Sequence, residues 1–447
     1  MKVAIIETSG LGDRSYIVTD GNTAVVIDPQ RDVDRVLTAV GGARITHVLE
    51  THIHNDYVTG GLELSRIVAA EYVVPEGEDL GYSAHRVADG DTIESGPIVL
   101  RVIHTPGHTQ HHVSYELRDG TGDTVGVFTG GSLLFGSTGR TDLVDEAETE
   151  ALTRAQYHSV QRLADELPDG VEVYPTHGFG SFCSASSVDE DSSTIGHQRR
   201  SNPALTKDEQ DFVDGLLAEL SAYPSYYEHM GLINSEGPVA ADLSLPKPIN
   251  PDELRSRLES GEWVVDLRRR VAFAAGHLKG SLGFELSGSF VTYLGWLHPW
   301  GTPLTLIGEN ESQIADARRE LARIGIDDIA GQAEIEVVRG AADKQSYRVA
   351  DFAALAEAIG GGEVTVLDVR QSGEFADSHV DNAVNIALHE LADRVSEVPV
   401  GEVWVHCASG YRASIAASIL DRHERDVVLI DDEFGKAEEL NLTRDSR

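Results

Sequence analysis

The sequence predicts an α/β and α+β multidomain fold. Three observations predict it. At about 150 residues per domain, a chain of 447 residues makes roughly three domains. Strand and helix signals alternate through the first ~200 residues. Further on, Asp266, Arg268, Phe273, Ala274 and His277 return 102 residues later as Asp368, Arg370, Phe375, Ala376 and His379, an internal repeat.

In chain order, residues 24–28 read as a strand and 32–39 as a helix. Residues 46–51 are a strand that ends at a histidine-rich turn, and 100–105 and 125–129 are strands that end at glycine-containing turns. Residues 184–201 are polar and predict surface. A helix is expected across 202–219, with Thr206 as N-cap and Glu209 three residues on. Residues 225–246 hold Pro, Gly and Ser without periodicity and read as a linker. Each copy of the repeat then begins with a helix (251–258; 351–359), followed by a buried-looking strand (263–267; 364–369). A second strand (303–307; 403–406) and another helix complete each copy. Such alternation predicts a parallel sheet with helices on both faces. The expected domains are therefore 1–200, a helical extension and linker over 201–246, and two small α/β domains over 247–345 and 346–447.

Charge narrows the function classes. Thirty-six basic against 74 acidic residues give −38, which repels nucleic acid and anionic membrane. Six of the basic residues are lysine, a balance compatible with a salty cytoplasm or a GC-rich genome. No apolar run reaches the ~18 residues of a spanning helix. Residues 1–16 lack a basic segment followed by an apolar one, so no signal peptide is expected. Two cysteines in a chain this long fit a reducing, cytoplasmic setting.

The first chemistry-bearing motif is Thr51-His52-Ile53-His54-Asn55-Asp56-Tyr57, just after a strand. In a turn, alternate side chains converge, so His52, His54 and Asp56 can meet at a divalent metal; imidazole and carboxylate suit zinc or iron. His108, in His104-Thr105-Pro106-Gly107-His108-Thr109, and His177, in Pro175-Thr176-His177-Gly178, also follow strands. A lone histidine is ordinarily a surface or satisfied core residue. Four at strand ends, two of them in His-x-His-x-Asp, point to a metal site.

These motifs, with Gly139-Arg140-Thr141-Asp142, resemble the metallo-β-lactamase superfamily, in its glyoxalase II-like and persulfide dioxygenase branch. The resemblance spans roughly residues 1–200. It implies an αββα sandwich with metal at one edge of two sheets, ligated from His52, His54, Asp56, His108 and His177. Two positions depart from the pattern. Tyr57 stands where the family has His, and Gly131, in Thr129-Gly130-Gly131-Ser132, stands where it has a bridging Asp. The first departure argues against a two-metal hydrolase. The second removes the carboxylate with which the dioxygenase branch completes an Fe(II) site of two histidines and one carboxylate. His54 or Asp56 would have to substitute. The implied cofactor is one Fe(II), with Zn(II) as the alternative and none if the site is degenerate. The implied chemistry is oxidation of a thiol persulfide by O2 with release of sulfite. Thioester hydrolysis by a zinc-bound hydroxide is the alternative.

The second motif is Cys407-Ala408-Ser409-Gly410-Tyr411-Arg412, between a strand and a helix over 413–420. Helix N-terminal N–H dipoles favour a thiolate and would equally stabilise a persulfide anion. Gly410 permits the tight curl, and Arg412 adds positive charge. The loop resembles the rhodanese Cys-x-x-Gly-x-Arg, and Asp368-Val369-Arg370, Glu374, His379 and Asn385-Ile386 resemble that family's other landmarks, over about residues 346–440. Arg412 follows Cys407 by five positions; a related phosphatase branch has six, and the tighter loop suits sulfur. Cys407 is thus the expected sulfur acceptor, with Arg412 and Gly410 as its catalytic companions and Ala408, Ser409 and Tyr411 lining the loop. The middle copy has Gly308-Glu309-Asn310 after its second strand and no cysteine, and reads as an inactive rhodanese-like domain. Cys183 follows His177 by six residues and is expected near the metal edge.

Taken together, these resemblances imply a persulfide dioxygenase/sulfurtransferase of sulfide and persulfide metabolism. Its partners would be a low-molecular-weight thiol persulfide, thiosulfate or sulfite. A homo-oligomer is compatible with the sequence. Three other readings stay open: a sulfurtransferase with a degenerate metal domain, a zinc thioester hydrolase, and a non-enzymatic persulfide carrier or sensor.

Overall fold

The structure, a computed structural model, describes residues 1–184, 191–340, 343–362 and 364–445. It groups the chain into two compact units. One is Met1–Asp242 with Val291–Gly295 and Arg319–Asp327, and the other is Leu243–Phe290 with Trp296–Arg318 and Asp328–Arg447. Among the described residues no helix is long and apolar enough to cross a membrane.

The first unit holds two six-stranded sheets whose strands lie in sequence order. One contains β1 (Lys2–Thr8), β2 (Asp13–Thr19), β3 (Thr23–Ile27), β4 (Arg44–Leu49), β5 (Glu71–Pro75) and β6 (His85–Val87). The other contains β7 (Thr92–Ser95), β8 (Ile98–His104), β9 (Val113–Arg118), β10 (Thr124–Gly130), β11 (Glu172–Pro175) and β12 (Ser193–Thr194). The period of two in each strand divides the core. Tyr16, Val18, Val25 and Ile27 point inward with Leu49 against Leu100, Val102, Tyr115 and Phe128 of the facing sheet. Their neighbours Ile17, Ala24 and Val26 point outward to pack on α1 (Asp34–Val40) and α2 (Gly61–Val68) through Val36, Leu62 and Leu64. The outer face of the second sheet packs on α3 (Thr149–Glu166), α4 (Ile195–Ser201), α5 (Pro203–Thr206) and α6 (Glu209–Glu219). The layers are therefore αββα.

Strand direction places the chemistry at one end of this sandwich. β3 and β4 run parallel, as do β10 and β11, and β8, two antiparallel steps from β10, runs the same way as β10. The C-terminal ends of β3 and β4 lead into Asp28 and residues 50–56. Those of β8, β10 and β11 lead into His108, Gly131 and His177.

Three sequence expectations need correction here. The helix expected across 202–219 is two helices, each capped by an Asx residue rather than by Thr206. Asn202 Oδ1 accepts from Ala204 N at 3.0 Å, and Asp208 Oδ1 accepts from Asp211 N at 2.9 Å. Asn and Asp are the stronger caps, and Pro203 is preorganised for the first helical position. The polar stretch 184–201 is not uniformly surface, because Ile195 and Gln198 of α4 are buried; residues 185–190 of it lie outside the described residues. The linker expected over 225–246 contains α7 (Tyr227–Glu236). Its buried stripe is Tyr227, Met230 and Asn234, at helical spacing. The third member is polar, so an apolar-periodicity reading passes over it.

In the second unit each copy of the repeat builds its own parallel sheet. The middle copy orders its strands Leu282–Gly283, Trp263–Asp266, Leu304–Gly308, Ile329–Glu334. The last copy orders them Arg348–Ala350, Asp426–Ile430, Glu402–His406, Thr365–Asp368, Val384–Asn385. The repeated residues make repeated contacts. Arg268 grips the buried Asp266 carboxylate at 2.6–3.0 Å as Arg370 grips Asp368 at 2.7–3.1 Å. Phe273 stacks on His277 at 4.0 Å as Phe375 stacks on His379 at 4.1 Å.

Candidate functional site

At the sandwich end, the rings of His52 and His54 lie 4.1 Å apart, His52 and His108 4.8 Å, and His52 and His177 5.3 Å. All four histidines are buried, as is Asp56. His177 Nδ1 is hydrogen-bonded to Asp13 Oδ1 at 2.9 Å and faces Asp56 Oδ2 off-axis at 3.0 Å, while its Nε2 meets His52 Nε2 at 3.3 Å. His108 Nδ1 donates to the Arg140 carbonyl at 2.7 Å, which leaves Nε2 as the free nitrogen. His54 turns its Nε2 outward, 3.1 Å from Glu50, 3.3 Å from Asp28 and 3.0 Å from the Tyr57 hydroxyl; its Nδ1 is unpartnered. The structure thus brings all five expected ligand residues together.

Several site residues, Asp13, Asp28, His112 and Asn234 among them, carry no sequence signal. Asp13 opens β2 and reaches His177 across 164 residues of chain. Asp28 accepts from the Thr51 N–H at 2.7 Å and hydroxyl at 2.8 Å, and takes a further hydrogen bond from Thr176. His112 stacks on His52 at 5.0 Å and accepts from the Gly131 N–H at 3.0 Å. Gly131 has no room for a side chain: a Cβ there would lie 2.2 Å from the His108 ring. Cys183 is fully buried beside this group. Asn234 of α7 accepts from Thr59 N at 2.9 Å and donates to the His54 and Tyr57 carbonyls at 2.8 Å each. Tyr226 and Tyr227, at the head of α7, are buried with rings 5.0 Å apart.

Burial and neighbouring charge split the titratable groups. Burial, with the neighbouring histidines, holds His52 and His112 well below the ordinary imidazole value and His108 down at about 3. A lowered value favours the neutral ring, the form in which histidine ligates a metal. Burial opposes charge on His177 too, but Asp56 and Asp13 outweigh it and raise it to about 10. His54 rises to about 9 because Asp28 and Glu50 outweigh its burial. Burial, then the charges of Asp56 and Asp13, pushes the Cys183 thiol up.

Among the described residues the buried atoms without hydrogen-bond partners include His108 Nε2, His54 Nδ1 and both Asp56 carboxylate oxygens. Buried polar atoms are ordinarily satisfied. Unpartnered nitrogens on His108 and His54, within a cluster of buried histidines and carboxylates, fit a divalent cation.

The second centre is the loop after Glu402–His406. Cys407 is 1% exposed, and the 12-residue helix Tyr411–Arg422 begins four residues on. Gly410 has φ 86°, and a Cβ there would meet Asp431 Oδ1 at 2.3 Å, so both conformation and space require glycine. The Phe434 N–H holds the Ala408 carbonyl at 2.8 Å, and Tyr411 donates to the Glu285 carbonyl at 3.0 Å. Arg412 is drawn into a two-point pair with Glu374 at 2.6 and 2.8 Å. Its charge is therefore shared with a carboxylate. Arg270, from the middle copy, reaches Asp431 at 2.6 Å, Glu285 at 3.0 Å and the Ser409 carbonyl at 3.4 Å.

A sandwich of this topology with a histidine–aspartate cluster at its strand ends, followed by a cysteine loop on a parallel sheet, defines a class. Residues 11–178 match the metallo-β-lactamase superfamily and residues 351–436 a rhodanese-like domain. The human mitochondrial persulfide dioxygenase ETHE1 is 30% identical over 240 residues, 53% of this chain and 80% of that protein. A probable polyketide biosynthesis zinc-dependent hydrolase, BaeB of Bacillus velezensis, is 31% identical over 176 residues, 37% of this chain and 72% of its own. The crystal structure of a metallo-β-lactamase from Staphylococcus aureus is 30% identical, covers 74% of this chain and 98% of its own, and superposes with a TM-score of 0.67. The chain belongs to the metallo-β-lactamase superfamily, in the branch that includes persulfide dioxygenase, and carries a rhodanese-like domain.

Proposed function

We propose that the protein oxidises a low-molecular-weight thiol persulfide at a metal centre in its first unit and transfers sulfane sulfur through Cys407 in its second. The observation that carries this reading is the buried histidine–aspartate cluster with its orphaned ligand atoms, in one chain with a strand–Cys–helix loop. His52, His54, His108, His177 and Asp56 would hold the metal, iron before zinc. When bound, the metal supplies a Lewis-acid, redox-active centre with open positions for sulfur oxidation.

The chain's own residues do the rest. Asp13 fixes the His177 ring and the Arg140 carbonyl fixes the His108 ring, so that each presents Nε2 inward. Tyr226, Tyr227 and the sandwich core keep bulk water from the cluster. At the second centre the Cys407 thiolate attacks the outer sulfur of a persulfide or thiosulfate; the S–S bond breaks and a thiolate or sulfite leaves. The N-terminal dipole of Tyr411–Arg422 favours the resulting Cys407 persulfide anion. Sulfite or a thiolate then attacks that sulfur and restores the Cys407 thiolate.

A sulfurtransferase working through Cys407 alone is the second reading, favoured by the absence of a carboxylate at Gly131. Anaerobic purification followed by metal analysis and O2 uptake on a thiol persulfide separates the two. Near-stoichiometric iron with oxygen consumption and sulfite release is the expected result. A metal-free protein, or zinc without oxygen uptake, overturns the dioxygenase half and leaves Cys407 as the working centre.

A further inference from the structure

We propose that Cys183 is a thiolate ligand of the metal centre and forms, with His108 and His177, a three-residue set for a divalent cation of the zinc or iron(II) class. This rests on the metal-centre reading above and assigns to it a sulfur donor. The ligand atoms of His108, His177 and Cys183 all lie within 4.8 Å of one another, and all three residues are buried. Zinc–nitrogen and zinc–sulfur bonds of about 2.0–2.3 Å put tetrahedral ligand atoms roughly 3.3–3.8 Å apart, so a small contraction closes the set on an ion.

Each member is already oriented. His108 gives its Nδ1 proton to the Arg140 carbonyl, and its Nε2 is buried without a partner. His177 is tied to Asp13 through Nδ1, the carboxylate–histidine arrangement that turns the other nitrogen toward a metal. Cys183 is held by its backbone: the Arg140 N–H binds the Cys183 carbonyl at 2.9 Å, and the Cys183 N–H binds Ser181 Oγ at 3.1 Å. One residue, Arg140, therefore grips two members of the set, the carbonyl on His108 and the N–H on Cys183. Its guanidinium reaches the Phe182 carbonyl at 3.2 Å, which fixes the loop between.

The local sequence leaves a place for an anionic donor. Gly131 packs so closely on the His108 ring that it can carry no side chain, so the end of β10 contributes none. Asp13 is engaged in orienting His177. Asp56 lies beside His177, its Oδ2 3.0 Å from Nδ1. As the sulfur–metal bond forms, the S–H bond breaks and its proton leaves to solvent. A soft thiolate selects zinc or iron(II) over magnesium or calcium.

Cobalt(II) loading of the full-length protein tests this without reference to turnover. The expected result is a near-ultraviolet thiolate-to-cobalt charge-transfer band in the unaltered protein and in Cys407→Ser. Cys183→Ser should lose that band while keeping the visible bands of bound cobalt. Cobalt bound without the charge-transfer band, or a band that survives in Cys183→Ser, overturns the ligand assignment and leaves the metal centre standing. No cobalt binding at all overturns both. Should Cys183→Ser fail to fold, X-ray absorption on cobalt-loaded Cys407→Ser decides, because Cys183 is then the one remaining cysteine. A sulfur atom in the first coordination shell supports the proposal, and an all-nitrogen-and-oxygen shell overturns it.

Discussion

Asn234→Ala is expected to loosen the histidine loop from α7. Asn234 is fully buried, and its amide makes three hydrogen bonds to the segment that carries the ligands: one from Thr59 N and two to the carbonyls of His54 and Tyr57. Each is worth about 1 kcal/mol net, and truncation also strands an N–H and two carbonyls in a site closed to water. The expected loss is about 3–5 kcal/mol, in the range reserved for broken buried networks. The near-isosteric Asn234→Asp isolates the polarity. It keeps an acceptor for Thr59 but points a carboxylate oxygen at two carbonyls, so it should be at least as damaging. Urea unfolding followed by hydrogen exchange across residues 50–60 reads both effects, as a lowered midpoint and early loss of protection at the Thr59 amide. If Asn234→Ala moves the transition by less than about 0.5 kcal/mol and leaves Thr59 protected, the reasoning that α7 latches this loop is wrong.

Three further outcomes follow from the same contacts. Cys407→Ser should abolish sulfur transfer from thiosulfate while leaving oxygen uptake on a thiol persulfide intact, measured side by side on one preparation. Arg270→Met removes the links to Asp431, Glu285 and the Ser409 carbonyl. As a positioning residue it should lower kcat for sulfur transfer by about tenfold, the equivalent of ~1.4 kcal/mol, with KM little changed. Arg270→Lys should rescue only part of the loss, since one ammonium cannot reproduce the fork. Burial works against charge on Glu116, but hydrogen bonds from Arg118, Thr124 and Arg101 outweigh it and hold its carboxyl at about 2, against 4.5 unfolded. A depressed folded value means that the stabilisation is fully present above pH 4.5 and is lost as pH falls toward 2. Glu116→Gln should therefore flatten the acid-unfolding curve between those values and leave the curve near neutrality parallel to the parent's.

The metal motif was legible because its residues are close in sequence and sit at strand ends, where a turn converges alternate side chains. The repeat was legible because Asp266–Arg268 and Phe273–His277 are local contacts that recur with the same spacing. What stayed hidden is long-range and polar. Asp13 is one carboxylate among 74 acidic residues until β2 and β11 come together at the same end of the sandwich. Asn234 breaks the apolar stripe of its helix, so the feature that makes α7 useful is the one that conceals it. By its sequence Gly131 stands where a ligand is missing. The structure adds that the His108 ring occupies the space a side chain would need.

The two centres have opposite electrostatics, and that difference follows from how each is built. Around the histidine cluster lie the carboxyl groups of Asp13, Asp28, Glu50 and Asp56, all buried; Asp56 and Asp13 raise His177, and Asp28 and Glu50 raise His54. Such a set is costly to bury without a cation and favours binding one. The Cys407 loop lies instead between a strand and the N-terminus of a 12-residue helix, with Arg412 and Arg270 each already paired to carboxylates. The backbone dipoles at that N-terminus favour a diffuse persulfide anion. A persulfide is anionic at the loop and a soft donor at a metal, so one substrate class satisfies both centres by different means. Covalent tethering then raises the effective concentration of one centre's product at the other. A chain that merely carried sulfur would need the second centre alone. The buried carboxylates and oriented histidines of the first fit a cation held there.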